Sequence, residues 1–505
     1  MLIGGLDVGT TGCKLTIFNA SGEFIHNEYI EYEVKRQNGE HEIDAGAIFE
    51  SVCTVIGKSS RKHPELSAIG ITTFGETFVA LDDEDNILLP SMLYTDPRGE
   101  EETKELCRKL GEDKITHIAG VKPHSMYSIP KIMWIKKNKP HVYEKIKRIL
   151  LMEDFLVYML TGRAYIDYSL AARTLGLDIR KKCWSDEIFD AAGVDTALMS
   201  ELVPTGTLAG NIKKEIAEKL HISKELKIIN GCHDQVAAAV GAGIFEVGMA
   251  VDGTGTCECV TPMFDKIPES KGIYEEGYSV VPYVFDGTYV CYALSFTGGA
   301  TLKWYRDNFA KYENRLAEEN GENIYAKLDS LATDKPTDIL IMPHFSGAAN
   351  PYMDNSSRAA IVGLSLEHTN YDLYKALMEG VTYEIMTNIE HLESFGIKLN
   401  KLAATGGGAS SPVWLQIKAD ILNRSVTALS AKEAGACGTC MMTAVAVGIC
   451  ESLQEAKEIF VSEKKQYIPN CENTKIYKNK YNAYKKIYNA VRPIVAELKT
   501  GKEEK

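Results

Sequence analysis

LDVGTTGCKLTIFN, Leu6 to Asn19, places Asp7, Gly9, Thr10, Thr11 and Gly12 inside an otherwise apolar run. Such a kink invites two readings. Its backbone N–H groups and hydroxyls suit an anion, but it lacks the Gly-Lys-Ser/Thr of a Walker loop and the three spaced glycines of a dinucleotide loop. Cys13 to Phe18 is apolar and β-branched, which is strand material rather than helix. The stretch therefore predicts a β-hairpin, Leu2–Asp7 and Cys13–Phe18. Whether its turn also grips phosphate depends on the rest of the chain.

The chain has 505 residues, enough for two domains. Charged residues make up 25% and hydrophobic ones 45%, as in soluble globular proteins. A formal charge of −13 argues against nucleic acid or an anionic membrane as a general partner. MLIGGLDVG lacks the basic start of a signal peptide, and no apolar run reaches spanning length, so a cytoplasmic location is expected. Twelve scattered cysteines suit a reducing compartment. Cys437 and Cys440 have CxxC spacing, but no second pair stands nearby and small neighbours point to helix packing. Cys257 and Cys259 are expected on one strand face in the core.

A meander is expected at the start, with its third strand over Glu23–Val34 after the turn Asn19–Gly22, followed by an amphipathic helix near Ala45–Lys58 and a buried strand in SAIGITTFG. Gly99 to Leu160 reads as mostly helical. KIINGCHDQ is a second buried strand, leading into the small-residue stretch AAAVGAGIF. Then AVDGTGTCECV, Ala250 to Val260, repeats strand, Asp-Gly-Thr-rich turn and strand, 245 residues after Asp7. Two such units, one in each half, predict a duplicated architecture whose turns grip one phosphate chain. A glycine cluster, Gly406 to Gly408, ends another strand before a helix near Pro412, where a ligand can approach closely. Tyr477, Tyr481, Tyr484 and Tyr488 recur at helical spacing among lysines; a docked terminal helix explains them more simply than a nucleic-acid patch.

Together LDVGTTGCK, GITTFGETFVALD, LYTDPRG, LTGRAYIDYSLAARTLGLDI, GCHDQVAAAVGAG, DGTGT, GGATLKW, GLSLEHTNYDLYKALMEGV and TGGGASSPVWLQIKADILN resemble the FGGY carbohydrate kinases in order and spacing. The resemblance implies an α/β fold of two ribonuclease H-like domains of the actin-like ATPase type with a central active-site cleft. Residues 1–244 would bind sugar and supply the catalytic base, and residues 245–505 would bind nucleotide. It implies phosphoryl transfer from ATP, with Mg²⁺, to a small sugar or polyol, and leaves open whether two copies pair as a homodimer.

By the same resemblance Asp234 is the catalytic base and also contacts substrate, although an isolated Asp at that strand-to-helix junction would read as an N-cap. Asp7 would hold Mg²⁺ through water, with Asp234 as the other metal-side carboxylate. Thr10, Thr11 and Lys14 would grip phosphate from one side, and Thr254, Gly255 and Thr256 from the other. Gly298 and Gly299 would line the nucleotide channel, and Gly407, Gly408 and Asn423 the adenosine end. Glu76, Asp96 and Arg98 would contact the sugar; without the resemblance, Asp96 and Arg98 would read as a surface ion pair. Gly347–Pro351, GAANP, departs from the family's Gly-Glu-Arg, though Arg358 remains.

Substrate residues are mixed. Phe74–Thr77 is closer to the Arg-Glu-Thr of glycerol kinases than to the Gln-Met-His-Gly of the xylulose kinase branch, yet LYTDPRG resembles the pentulose branch. Glu76 accepting from adjacent hydroxyls while Arg98 donates suits a neutral acceptor. The expectation is a ketopentose such as D-xylulose, with glycerol- or erythritol-like polyols as the alternative. A nucleotide-dependent sugar sensor without turnover is the competing class.

Overall fold

The computed structural model describes residues 1–430 and 433–500. The chain packs as two compact units. The first holds Met1–Gly243, Ser279–Val290 and Glu433–Val461; the second holds Ile244–Tyr278, Cys291–Lys432 and Ser462–Lys505.

In the first unit the opening hairpin forms as expected: β1 (Leu2–Val8) and β2 (Gly12–Asn19) are antiparallel, with Asp7 opposite Lys14. β3 (Phe24–Glu31) continues the meander. It ends earlier than Val34 because Tyr32 turns away to cap the kink, its N–H donating to Thr11 O at 3.1 Å and its hydroxyl to Gly9 O. β4 (Leu66–Thr73) lies parallel to β1, β6 (Lys227–His233) parallel to β4, and β5 (Leu208–Asn211) antiparallel to β6. The sheet order is β5-β6-β4-β1-β2-β3.

Helix Ala45–Lys62 covers this sheet. Asp44 caps it by accepting from Gly46 N and Ala47 N, and Ile48, Val52, Val55 and Ile56 form its buried face. It outlasts Lys58 because Ser59 and Ser60 are buried and Arg61 donates to Leu220 O at 2.7 Å. Between Gly99 and Leu160 the chain is helical as expected, except for the strand Arg148–Leu151, which pairs with Phe78–Leu81. Helix Ala434–Ala446 returns late in sequence to pack on β1 and on helix Asp234–Gly241.

The second unit repeats the pairing scheme. β7 (Met249–Thr254) and β8 (Glu258–Phe264) form the hairpin, and β9 (Ala293–Ser295) adds to β8. β10 (Lys401–Thr405) lies parallel to β7, β11 (Ser425–Leu429) parallel to β10, and β12 (Glu463–Tyr467) antiparallel to β11. In each unit an antiparallel hairpin is followed by two parallel steps and one antiparallel step. The duplication read from two Asp/Gly/Thr turns is therefore a duplication of topology.

Two cysteine expectations part ways. Cys437 and Cys440 are buried in helix Ala434–Ala446, as packing residues. Cys257 and Cys259 do not share a core face: Cys257 is exposed in the turn before β8 and Cys259 is half-buried. Period-2 alternation fails here because the strand starts only at Glu258. The tyrosine stripe docks as expected on helix Asn370–Ser394: the hydroxyls of Tyr477, Tyr481 and Tyr484 donate to Glu379, Glu390 and Glu384. Tyr488 falls in the next helix, Ile487–Thr500, and donates to Asp354. Among the described residues no helix is long and apolar enough to cross a membrane.

Candidate active site

In the first unit β1, β4 and β6 run parallel, so their carboxyl ends meet at one edge of the sheet, the place where α/β sheets bind ligands. That edge gathers Asp7 from β1, Gly75 and Glu76 beyond β4, and His233 and Asp234 beyond β6. Asp234 is the first residue of its helix, after the N-cap His233, and its Oδ1 accepts from the Gln235 backbone N–H at 2.6 Å.

Burial and the Asp7 charge push the Asp234 carboxyl up to about 7, although 36% of the side chain's surface stays open to solvent. His233 Nε2 lies 3.2 Å from its Oδ1. Burial and the Arg173 charge push that imidazole well down, so it stays neutral. Asp7 is pushed up to about 6 by burial and by Glu433, against the pull of Lys14. Lys14 in turn donates to Glu433 at 2.9 Å. Thr10 and Thr11 lie in the turn between, Thr11 exposed and Thr10 half-buried.

Glu76 is buried, with a left-handed backbone (φ 63°). Arg173 donates to its Oε1 from Nε at 2.7 Å and also from Nη2. The guanidinium stacks 5.2 Å from the Tyr127 ring. A side chain at Gly75 would strike Arg173 Cγ at 2.8 Å, so glycine at that position makes room for the pair. Asp96 and Arg98 form no surface pair: Asp96 is 1% exposed and takes Arg98 Nε at 2.8 Å and Nη2 at 2.7 Å. Burial alone would raise the Asp96 carboxyl, but Arg98 and the backbone N–H groups of His41 and Arg98 hold it below its ordinary value. Arg98 also donates to Glu42 at 2.8 Å. Beneath them Lys131 is fully buried and donates to Asp96 O at 2.7 Å, and burial pushes its amine down to about 8.

The second unit holds a cavity of about 850 Å³, large enough for a nucleotide-sized ligand. Thr254, Gly255 and Thr256 line it at the end of β7, Gly299 at the start of helix Gly299–Phe309, and Gly407 and Gly408 beyond β10. Trp304, Tyr325, Tyr374 and Trp414 supply aromatic wall. Gly299 N donates to Gly255 O at 2.7 Å, which ties the helix start to the turn. Gly298 precedes that helix without lining the cavity. Asn423 lies apart from these residues. It is the left-handed C-cap of helix Pro412–Leu422 (φ 51°), a full helix length from the glycines at the other end. Asn at that place answers a helix-ending requirement, which the sequence shows no differently from a ligand contact. Neither Gly347–Pro351 nor Arg358 lines the cavity.

Lys131, Tyr127 and Tyr325 lie outside the motifs quoted above, while Arg173, His233, Trp304 and Trp414 lie inside them without having been singled out as site residues. Only the Arg-Thr of AARTLG, inside an otherwise small and apolar stretch, stands out as a buried charge in need of a partner.

The N-terminal domain of the FGGY family of carbohydrate kinases matches residues 2–241, and its C-terminal domain residues 248–447. The chain belongs to the FGGY family of carbohydrate kinases. A xylulose kinase of Lactococcus lactis is 30% identical over 98% of this chain and 98% of that protein. A gluconokinase of Bacillus subtilis is 26% identical, covering 94% and 93%. A ligand-bound xylulose kinase from Lactobacillus acidophilus has the same fold, with a TM-score of 0.86 at 22% identity over 98% of this chain and 99% of that one. The protein is thus a carbohydrate kinase with two actin-like, ribonuclease H-like α/β units, and membership of the family implies use of ATP.

The family's divalent metal can be tested against the residues present. Asp7 and Asp234 offer hard carboxylate oxygens, both with raised proton affinity, and the charge of Asp7 contributes to that of Asp234. Among the described residues no three His, Cys, Asp or Glu side chains form a closed metal cage. An open pair of carboxylates fits Mg²⁺, which keeps several waters and completes its shell with phosphate oxygens.

Proposed function

We propose that the protein transfers the terminal phosphoryl group of ATP to a hydroxyl of a small neutral sugar, with a ketopentose such as D-xylulose the first choice. One observation carries this reading: Asp234, a partly open carboxylate whose pKa is pushed up to about 7, stands at the same sheet edge as Asp7 and the Glu76–Arg173 pair. A base of that pKa takes the hydroxyl proton as the oxygen attacks phosphorus and the bond to the ADP oxygen breaks. Asp7 and Asp234 would hold Mg²⁺, which offsets phosphate charge. Thr10, Thr11 and Lys14 in the first unit and Thr254, Gly255 and Thr256 in the second would contact the phosphates. Gly299, Gly407 and Gly408 would border the nucleoside, and Glu76, Asp96 and Arg98 the sugar.

Charge matching favours a neutral acceptor over an acid such as gluconate. Arg173 is matched by Glu76, Arg98 by Asp96 and Glu42, and Lys131 is spent on backbone carbonyls. A substrate carboxylate would have to compete with these partners. Coupled ADP release over pentuloses, hexuloses, polyols and sugar acids, beside a no-sugar control, tests the reading. Fastest turnover on a ketopentose is expected. Turnover never above the control would instead favour a sugar sensor, and gluconate as best substrate would overturn the neutral pocket.

A further inference from the structure

The wall of the second unit's cavity is backed by three buried ionisable side chains that the phosphoryl-transfer reading does not use. Lys418, in helix Pro412–Leu422, is 1% exposed, and Asp252 and Glu258, on β7 and β8, are 0% exposed. The ammonium donates to Asp252 Oδ2 at 2.6 Å and lies 3.0 Å from Glu258 Oε1. Its third contact is Thr254 Oγ1, at 2.6 Å. Burial pushes the Glu258 carboxyl up to about 8, but burying the Lys418–Asp252 ion pair beside it is still costly, and apolar side chains of the same volume would commonly be as stable or more so. Such a cluster in a wall therefore calls for a reason beyond stability.

Its position supplies one. Thr254 and Trp414 both line the cavity; Lys418 Nζ sits 5.1 Å from the Trp414 ring, and a side chain on Gly408 would strike Thr254 Cβ at 2.6 Å. Among the described residues Lys418 is the sole side chain bonded to Thr254 Oγ1. A lysine ammonium can only donate, so here the threonine oxygen must accept, and its own hydrogen is left to point elsewhere. We propose that Lys418 is a positioning residue for the phosphate end of this cavity, holding the Thr254 hydroxyl as an acceptor so that its hydrogen is committed to a bound phosphate oxygen. Asp252 and Glu258 fix the ammonium in place. This rests on the reading that the cavity takes ATP with its phosphates at the 254–256 turn.

The test is direct binding of ADP and of adenosine, without turnover, to the full-length protein and to Lys418→Met, Thr254→Val and the double variant. Lys418→Met and Thr254→Val should each weaken ADP about tenfold, with adenosine unchanged, and the double variant should bind ADP no more weakly than Thr254→Val alone. Lys418→Met strands two buried carboxyl groups, so Lys418→Met/Asp252→Asn/Glu258→Gln, which removes all three ionisable groups, carries the same comparison if the single variant does not fold. Wild-type ADP affinity in either folded variant overturns the proposal, as do equal losses for ADP and adenosine or additive losses in the double variant. Wild-type protein that binds ADP no better than adenosine, or Thr254→Val without effect on ADP, removes the nucleotide reading itself and the proposal with it.

Discussion

Both guanidinium bonds from Arg173 converge on a single oxygen of Glu76, Oε1, although the two residues lie 97 positions apart. Among the described residues nothing donates to Oε2. The carboxylate is therefore fixed by one oxygen and offers the other to a hydroxyl. Glu76→Gln should raise the acceptor KM about tenfold and leave the KM for ATP unchanged. Steady-state kinetics with each substrate varied in turn checks this, and an unchanged acceptor KM would leave Glu76 a structural cap on its turn.

Gly75→Ala tests the same pair from behind. The added methyl would meet Arg173 Cγ at 2.8 Å and His233 Cδ2 at 3.2 Å, so the arginine must shift. Overpacking of this kind costs about 1–3 kcal/mol of stability. The expected outcome is a lower Tm together with a raised acceptor KM, and ADP affinity measured by calorimetry should not move.

If Asp234 is the base proposed above, Asp234→Asn should lower kcat by orders of magnitude while ATP binds almost as before. A variant that keeps more than about a tenth of kcat would remove Asp234 from the base role.

The same substitution should stabilise the free protein. The folded Asp234 carboxyl is raised to about 7 from an ordinary 3.8, so the folded state binds its proton more tightly than the unfolded chain. That contribution is complete below pH 3.8 and is lost as pH rises through about 7. Replacement by Asn should therefore raise Tm by a few degrees above pH 7, with the gain shrinking toward pH 4. Thermal melts without nucleotide or metal across this range check the sign, and a gain that grows on acidification would contradict it.

Thiol chemistry should separate the cysteines by burial. Burial pushes Cys437 up to about 12 and Cys440 also well upward, which keeps both as unreactive thiols. Brief alkylation of the native protein should mark Cys183, Cys257 and Cys471, the exposed ones. Peptide mapping that found Cys437 labelled before unfolding would show that helix Ala434–Ala446 is less firmly seated than its packing indicates.

What the sequence made legible was backbone chemistry. Two strand-turn-strand units built from Asp, Gly and Thr announced both hairpins, because a polar kink between β-branched runs has few other solutions, and the helix expected near Pro412 is Pro412–Leu422. Side-chain partnerships were less visible. Arg173, in the turn Ala172–Thr174, meets Glu76 beyond β4 only through the tertiary fold, and no local pattern encodes that distance. Lys418 sits in LQIKADI, where a lysine between apolar residues reads as the solvent face of a helix; its burial depends on Asp252 and Glu258, far away in sequence. Cys257 misled because β8 starts only at Glu258, and periodicity locates such ends poorly.

Helix Ala434–Ala446 lies so close to helix Asp234–Gly241 that a side chain on Gly438 would meet Ala237 O at 2.0 Å, and one on Gly241 would meet Ala434 O at 1.9 Å. For a ribosome this is a question of waiting. The first 243 residues leave the exit tunnel with the docking face for that helix bare, and roughly two hundred more must be translated before it arrives, about 10–40 s at ~5–20 residues per second. A nascent chain of the first unit is therefore an unfinished body, and a gene fragment cut at residue 243 should yield aggregated protein, since it lacks both Ser279–Val290 and Glu433–Val461.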